Sequence, residues 1–305
     1  MHQAQITSWG NPPTYIEVPD LPPPNLEEVR IKVEAVGIHR VVRSRASGQH
    51  YSSGELPHIP GIDGVGTTDS GQKVYFMTMG KGVLSEFINM PKHSVFPLPE
   101  DSDPVKIAAA INPAMSSWMA FKGRTTNLPE DFTCLILGAT SASGRVAIAL
   151  ARTLGAKKVI GAARNKTTLD TLGLDESIII QEEVEQTDFS NLDDVDVVLD
   201  YVYGPLVLHL LKSMNTAKSV QYVHIGALSI PEITIPGQVL RAKDVTIRGS
   251  GPGSWSIKEF AKTVPQLLDA VRDMPSQPVK TAKFADVEKA WEYDGPERLV
   301  LCREL

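Results

Sequence analysis

One segment of the sequence constrains the fold more than any other: an apolar run that passes through small residues into an amphipathic stretch. It reads CLILGATSASGRVAIALARTLGA and spans residues 134–156. The pattern predicts a buried strand at 133–137, a tight loop and a helix at 144–156. Such a loop directs backbone N–H groups and the positive end of the helix at one place, which suits a phosphate. The segment therefore predicts a dinucleotide site, the alternative being an ordinary strand–helix turn without a ligand.

Small side chains fill the loop between this strand and its helix. Gly138, Ser141 and Gly144 recur at a spacing of three, which lets phosphates approach the backbone and lets the helix pack on its strand. A lone glycine-rich turn is weak support, but here strand, loop, helix and second strand follow in order. The residues predicted to contact the cofactor are Gly138, Ala139, Thr140, Ser141, Ala142, Ser143 and Gly144.

Three polar residues follow the second predicted strand at 158–163, where the adenosine ribose is expected. An acidic residue here would bind both ribose hydroxyls and select NAD. The sequence has Arg164, Asn165 and Lys166 instead. Because cationic side chains pair with phosphate oxygens, these residues favour the 2′-phosphate of NADPH. The alternative is a solvated basic loop.

Strands and helices alternate through the middle of the chain. The predicted strands are 133–137, 158–163, 177–180, 195–200, 219–226 and 244–249, with helices at 144–156, 167–173 and 205–214. This alternation of apolar strands with helices indicates a parallel sheet covered on both faces, the doubly wound arrangement. The stretch before it, 105–123, reads as helices interrupted at Pro113.

The two ends of the chain differ from this middle. Residues 1–110 are rich in strand patterns, with strands predicted at 28–36, 72–79 and 84–90. Two helices, at 257–274 and 286–293, and a strand at 298–305 follow the middle part. We therefore expect domain boundaries that divide the chain into 1–110, 111–253 and 254–305.

Charge and cysteine content exclude several classes of protein. The net charge of −6 argues against a nucleic-acid or anionic-membrane partner. The two cysteines, Cys134 and Cys302, supply neither a disulfide framework nor a four-thiolate zinc site. The first residues do not resemble a signal peptide, and the apolar runs are too short to span a bilayer, so a cytoplasmic location is the expectation.

Taken in order, these motifs resemble the medium-chain dehydrogenase/reductase superfamily, in its zinc-free quinone oxidoreductase and enoyl reductase branch. The motifs that carry the resemblance are EVRIKVEAVGIH (28–39), LPHIPGIDGVGT (56–67), LSEFINMPKHSVFPLPE (84–100), VDVVLDYVYG (195–204), YVHIGALS (222–229) and DVEKAWEY (286–293). The resemblance implies an α/β fold in which a GroES-like β-barrel domain accompanies a doubly wound Rossmann domain, with the C-terminal segment returning to the barrel.

The resemblance also implies chemistry. Members of this branch transfer a hydride from NADPH to a quinone or to an α,β-unsaturated carbonyl, so the partner is a small-molecule substrate, and many members form homodimers. Zinc-dependent relatives carry a cysteine and a Gly-His-Glu sequence where this chain reads GIHRVV (37–42) and GIDGVG (61–66), so no catalytic metal is expected.

The catalytic candidates implied by the resemblance come from the barrel domain: His39, Ser44 and Tyr51. His39 is the first choice for stabilising or protonating the reduced substrate, and its alternative role is to line the pocket; Tyr51 is equally a packing candidate. Beside the nicotinamide, the resemblance implies Ser116, Gly226, Ala227, Ser250 and Gly251.

Two departures from the pattern fall in the cofactor loop and in the segment that holds the catalytic candidates. Ser141 and Ala142 replace adjacent glycines of the loop, and His39, Val42 and Ser44 stand where Asn, Asp and Tyr are common. Three functions therefore stay open: an NADPH-dependent enone or quinone reductase, a specialised enoyl reductase or cyclase-like enzyme on the same fold, and a non-catalytic NADPH-binding protein.

Overall fold

The computed structural model describes residues 1–50, 52–78, 80–192, 194–216 and 218–304, apart from the side chain of Ile257. The chain forms two compact units. The terminal unit consists of Met1–Asn112 and Ala261–Leu305, and the central unit of Pro113–Phe260.

The elements follow one another along the chain in three groups. The first group is β1 (His2–Gln5), β2 (Thr14–Glu17), β3 (Glu28–Ile38), α1 (Arg40–Ala46), β4 (Asp63–Thr68), β5 (Lys73–Met77), β6 (Phe87–Pro91), β7 (Val95–Pro97) and α2 (Pro104–Arg124). The second is β8 (Thr133–Leu137), α3 (Ala142–Thr153), β9 (Lys158–Ala163), α4 (Lys166–Leu169), β10 (Glu176–Ile179), β11 (Val197–Asp200), α5 (Pro205–Ser213), β12 (Val220–His224), α6 (Gly237–Ala242) and β13 (Val245–Gly249). The third is α7 (Ile257–Asp273), β14 (Val279–Lys283), α8 (Val287–Ala290) and β15 (Arg298–Cys302).

The central unit is built on a six-stranded sheet in the order β10-β9-β8-β11-β12-β13, and every pairing in it is parallel. This is the doubly wound order, in which the chain runs outward from β8 in both directions. All five residues of β8, TCLIL, are buried because helices cover both faces of the sheet. The predicted doubly wound sheet is confirmed, with strand ends within three residues of the sequence pattern.

The terminal unit contains a seven-stranded sheet in the order β14-β15-β3-β4-β5-β7, with β6 also paired to β3. Its pairings are antiparallel except for that of β14 with β15. The long strand β3 alternates charged and apolar side chains, and it buries Ile31 and Val33 in a core with Phe76 and Leu301. This alternation is what a sheet with one face on the core requires.

The interruption predicted at Pro113 is wrong. Helix α2 runs from Pro104 to Arg124 with Pro113 inside it. Proline removes one intrahelical hydrogen bond, yet the helix buries Ile111, Ala114 and Trp118 almost completely. The burial of this apolar face outweighs the local cost, which the sequence pattern overestimated.

Several short elements differ from the sequence prediction. Helix α4 has four residues where seven were predicted, and α8 has four where eight were predicted. No prediction covered α1, α6 or β14, which are short and carry charged side chains. Among the described residues, no helix is long and apolar enough to cross a membrane.

Candidate active site

The loop between β8 and α3 has the geometry of a phosphate site. Gly138 adopts the left-handed region with φ +84°, and its N–H and that of Ala139 donate to the carbonyl of Ala162 at 2.8 and 3.2 Å. Ser141 caps helix α3, its Oγ accepting from the N–H of Gly144 at 3.0 Å. The first N–H groups of a helix have no intrahelical partner, so those of Ala142 and Ser143 face outward as donors.

Gly144 is required by close packing inside this loop. A Cβ atom on Gly144 would lie 2.3 Å from the carbonyl oxygen of Gly138 and 2.8 Å from Cα of Ala139. The absence of a side chain lets the helix start directly against the loop, and it leaves the backbone accessible to a bound group. The residues of this loop therefore fit a pyrophosphate.

The three polar residues after β9 have different environments. Lys166 Nζ pairs with the carboxylate of Asp170 at 2.7 Å, one turn along the helix, and Asn165 caps α4 by accepting from the N–H of Thr168 at 3.0 Å. Arg164 is exposed and makes no hydrogen bond or ion pair within the described part of the chain. Of the two cations, Arg164 is therefore the freer one.

The predicted nicotinamide residues gather at the carboxyl edge of the same sheet. Gly226 and Ala227 follow β12, and Ser250 and Gly251 follow β13. Ser116 lies in α2, where its Oγ donates to the carbonyl of Pro113 at 2.7 Å and lies 3.5 Å from the hydroxyl of Tyr201, just after β11. Burial raises the pKa of Tyr201 to about 12, and Ser116 acts in the opposite direction. In doubly wound sheets this edge is where ligands bind.

Comparison with known proteins identifies the family. The chain is 35% identical to a protein of Emericella nidulans named "Probable NADPH-dependent quinone reductase tdiC", over 96% of each chain. The chain belongs to the quinone oxidoreductase branch of the medium-chain dehydrogenase/reductase superfamily. No model of a protein family matches the chain.

Two further quinone oxidoreductases bear out the relationship. Human quinone oxidoreductase is 23% identical over 74% of this chain and 71% of its own. The solved quinone oxidoreductase of Thermus thermophilus, described with its NADPH complex, superposes with a TM-score of 0.79 at 25% identity, over 99% of this chain and 100% of that one. The fold is therefore a GroES-like barrel domain plus a Rossmann domain, as the resemblance implied.

In this quinone oxidoreductase, the candidate His39 lies in a buried polar cluster of the terminal unit. His39 precedes α1, is 2% exposed, and its ring lies against Gly37, where a Cβ atom would come within 2.6 Å of Nε2. Its Nε2 is 3.4 Å from a carboxylate oxygen of Asp63, whose other oxygen accepts from the hydroxyl of Tyr75 at 3.0 Å. Neither ring nitrogen makes a hydrogen bond with a described residue.

Burial governs the ionisation of this cluster. It lowers the pKa of His39, against the opposing attraction of Asp63, and it raises the pKa of Tyr75 well above its ordinary value. Burial also lowers the pKa of Arg298, whose guanidinium Nε has no partner among the described residues. The imidazole of His39 is therefore neutral at pH 7, with one N–H to donate.

The other two catalytic candidates are less defined. Ser44 is half-buried in α1, and its carbonyl accepts from Ser47 Oγ at 2.9 Å. Tyr51 lies outside the described residues.

Val42, which stands where an acidic residue is common, is 1% exposed and packs in the apolar core of the terminal unit. A carboxylate buried at that position would need a partner for its charge.

No group of three or more His, Cys, Asp or Glu side chains in the described ranges is placed to hold a metal ion. The expectation that catalysis needs no zinc stays a prediction.

The sequence alone does not reveal the polar residues that surround His39. Asp63, Tyr75 and Arg298 come from β4, β5 and β15, so their proximity depends on the pairing of distant strands. A second buried carboxylate, Asp200, ends β11 and was also missed. Its signal was present, since an Asp closes the apolar run VVLD (197–200) and a charge at the end of such a buried strand needs specific partners.

Proposed function

We propose that this quinone oxidoreductase is an NADPH-dependent reductase that transfers a hydride to a quinone. The observation that carries the proposal is the loop between β8 and α3, which leaves its backbone open to a phosphate and is followed by the unpaired Arg164. It is supported by the relative named as an NADPH-dependent quinone reductase, which is 35% identical over 96% of this chain. NADPH bound at this edge would supply the hydride, while the protein binds and orients the cofactor and the quinone and polarises the quinone.

The proposed cofactor contacts divide along the sheet edge. The loop from Gly138 to Gly144 holds the pyrophosphate, and Arg164 holds the 2′-phosphate, with Asn165 and Lys166 beside it. Ser116 and the ends of β12 and β13 flank the nicotinamide half, through Gly226, Ala227, Ser250 and Gly251. This assignment is supported by the carboxyl-edge position that these residues share.

His39 is proposed as the group that stabilises charge on the substrate oxygen. Reduction by hydride leaves a negative charge on that oxygen, and a neutral imidazole N–H stabilises it by donating a hydrogen bond. Asp63, held by Tyr75, lies 3.4 Å from Nε2, so the single N–H of the neutral ring can serve the substrate oxygen only when the hydrogen is on Nδ1. Ser44 and Tyr51 are the alternative donors.

The test is NADPH oxidation by the purified protein with ortho- and para-quinones, followed at the absorbance of NADPH. We expect turnover with quinones, unchanged after treatment with EDTA and removal of the chelator. Small enones and 2-alkenals form the second arm of the panel, in which deuterium from 4-labelled NADPH on the β-carbon would extend the substrate class. Tight NADPH binding without turnover on any member of the panel would contradict the proposal and favour a non-catalytic role.

The cellular setting and the domain division are part of the same proposal. A cytoplasmic location is supported by two free, buried cysteines, as is usual in a reducing compartment. The domain boundaries are proposed at 1–110, 111–253 and 254–305.

A homodimer through β13 is supported by the exposed side chain of Ile247 on that edge strand. It is also supported by three exposed apolar side chains that precede β13 along the chain, Leu228, Ile230 and Leu240.

A further inference from the structure

A fully buried carboxylate lies at the carboxyl edge of the central sheet. Asp200 is 0% exposed at the end of β11. One of its oxygens accepts from the N–H groups of Val202 and Tyr203 at 2.8 and 3.0 Å, and the other accepts from the hydroxyl of Tyr222. Burial and the nearby carboxylate raise the pKa of Tyr222, so its hydroxyl stays a donor. A charge with this many donors is held in one orientation.

The remaining neighbour of this carboxylate is a histidine that reaches solvent. His224 ends β12, its side chain is 34% exposed, and its Nδ1 is 3.7 Å from the same Asp200 oxygen that binds Tyr222. Nδ1 is buried and has no hydrogen-bond partner among the described residues. The distance is too long for a hydrogen bond, yet catalytic pairs are often long before ligands bind and shorten in the complex.

The backbone around the pair is strained. Tyr203 has φ +59°, a left-handed conformation that is costly for a bulky side chain. Its backbone N–H donates to Asp200, and its ring packs on that of His224 with the ring centroids 4.2 Å apart. Strain of this kind persists where the surrounding structure over-determines it, and it concentrates at functional sites. Tyr203 and Asp200 together fix the imidazole on the ligand-binding edge of the sheet.

We propose that His224 is a catalytic proton donor to the reduced quinone and that Asp200 is its positioning residue. The inference rests on the proposed reductase function. Its geometry is that of a histidine whose Nδ1 faces a buried carboxylate while its partly exposed ring lies at the ligand edge, and a carboxylate orients the imidazole in the same way in hydrolytic triads.

The protons and electrons balance as follows. The hydride from NADPH brings two electrons and one hydrogen to the quinone, which leaves a hydroquinone anion. The Nε2–H bond of a His224 imidazolium breaks, and an O–H bond forms on that anion to give the neutral hydroquinone. The imidazole then takes one proton from solvent, which reaches the exposed part of the ring, while Asp200 accepts a hydrogen bond from Nδ1–H throughout.

The positioning role is tested without activity, from the tautomer of His224. Long-range ¹H–¹⁵N NMR spectra of the full chain with bound NADP⁺ report which nitrogen of the neutral ring carries hydrogen. We expect the Nδ1–H form of His224 in the unmodified protein and a shift to the Nε2–H form in Asp200→Asn. A neutral His224 in the Nε2–H form in the unmodified protein would overturn the positioning role, whether or not any variant folds.

The catalytic role is tested with His224→Ala and quinone as the acceptor. We expect turnover to fall about 100-fold, the scale of general acid catalysis, with NADPH affinity unchanged by fluorescence titration. Added free imidazole should restore part of the lost rate in His224→Ala but not in Asp200→Asn, where the ring is present. A loss that imidazole does not restore, or turnover within about twofold of the unmodified protein, would overturn the proposal.

A matched control comes from another histidine of the central unit. His209 in α5 is half-buried, and its ring nitrogens already have partners in the carbonyl of Thr187 at 2.8 Å and Ser213 Oγ at 3.1 Å. His209→Gln should leave turnover and the response to imidazole unchanged. Failure of the proposed function itself is distinguishable, because the unmodified protein would then bind NADPH and reduce no quinone, while the tautomer measurement still decides the role of Asp200.

Discussion

At the scale of single residues, each unit carries a buried carboxylate that binds a tyrosine hydroxyl and faces a histidine. In the terminal unit these residues are Asp63, Tyr75 and His39. In the central unit they are Asp200, Tyr222 and His224. The two histidines differ in exposure: His39 is 2% exposed as a whole residue, whereas the side chain of His224 is 34% exposed. The first therefore suits a neutral hydrogen-bond donor, and the second suits exchange of a proton with water.

Under the proposed function, Arg164 selects NADPH over NADH. Arg164→Ala should weaken NADPH binding about 10- to 100-fold, because a charge-assisted hydrogen bond to phosphate contributes roughly 1.5–3 kcal/mol. NADH, which lacks the 2′-phosphate, should bind with nearly the same affinity as before. Lys166→Ala is the matched control, since that cation is already paired with Asp170, and its effect should be smaller. Calorimetry on both cofactors gives the comparison, and equal NADPH and NADH affinities in the unmodified protein would contradict the assignment.

His39→Ala should lower quinone turnover about 10- to 1,000-fold, because the oxygen that gains charge loses a hydrogen-bond donor. NADPH affinity should stay nearly constant. His58→Gln is the control, as this histidine is also buried in the terminal unit. Steady-state kinetics with one quinone measures both variants. Full turnover in His39→Ala would assign the ring to the lining of the pocket and leave Ser44 or Tyr51 as the donor.

The buried His39 also predicts that the stability of the fold depends on pH. Burial lowers the pKa of His39 in the folded protein below its unfolded value of about 6.5. Between those two values the unfolded chain binds a proton that the folded chain does not, so stability falls as pH decreases below about 6.5. His39→Gln removes this contribution. Thermal unfolding from about pH 8 to about pH 5.5 should show a smaller decrease of Tm for the variant, and parallel curves would contradict the shift.

At the scale of elements, the loop between β8 and α3 depends on Gly144. Gly144→Ala places a Cβ atom 2.3 Å from the carbonyl oxygen of Gly138, a backbone atom that cannot move without displacing the loop. We expect a loss of about 1–3 kcal/mol of stability, typical of overpacking, and at least tenfold weaker NADPH binding. Gly54→Ala, with nothing within 4 Å of its added Cβ, is the control. Fluorescence titration and thermal unfolding measure the two effects, and wild-type NADPH affinity in Gly144→Ala would remove this loop from the cofactor site.

Elements also show what the sequence could and could not predict. The strands of the central sheet were predictable because burial on both faces produces continuous apolar runs such as TCLIL in β8. Helix α1, with the sequence RVVRSRA, was not, because its form depends on residues elsewhere: Arg43 donates to the carbonyls of Trp291 and Tyr293 at 2.6 and 3.0 Å. The candidate site likewise has a part that the sequence could predict and a part that it could not. Local motifs predicted the phosphate loop, whereas the partners of His39 depend on strand pairing that no local pattern contains.

At the scale of the whole molecule, the edges of the central sheet are not equivalent. Strand β13 forms one edge with Ile247 40% exposed, and three further exposed apolar side chains lie in the preceding segment, Leu228, Ile230 and Leu240. The opposite edge, β10, carries Ile179 at 37% exposure. Exposed apolar side chains in and before an open edge strand support the proposed association through β13.

Ile247→Lys should shift the protein from dimer to monomer, because a charge on the paired edge would be desolvated without a partner. Ile179→Lys on the other edge is the matched control and should leave the molar mass unchanged. Light scattering after size-exclusion chromatography measures both variants. A monomeric unmodified protein, or a dimer that Ile247→Lys leaves intact, would contradict association through β13.

The pairing of β3 with β15 has a consequence for how the chain acquires its structure during synthesis. Arg298 and Ile38, at the meeting of these strands, are 260 residues apart along the chain. The central unit is one continuous stretch, so it can fold before β15 is made, whereas residues 35–38 of β3, beyond the part that pairs with β6, keep an open hydrogen-bonding edge until β15 emerges. Closing so long a loop is slow, and an open strand edge recruits other chains. The yield of folded protein from a ribosome therefore depends on how long β3 stays unpaired, and a chain truncated before β15 would keep that edge open permanently.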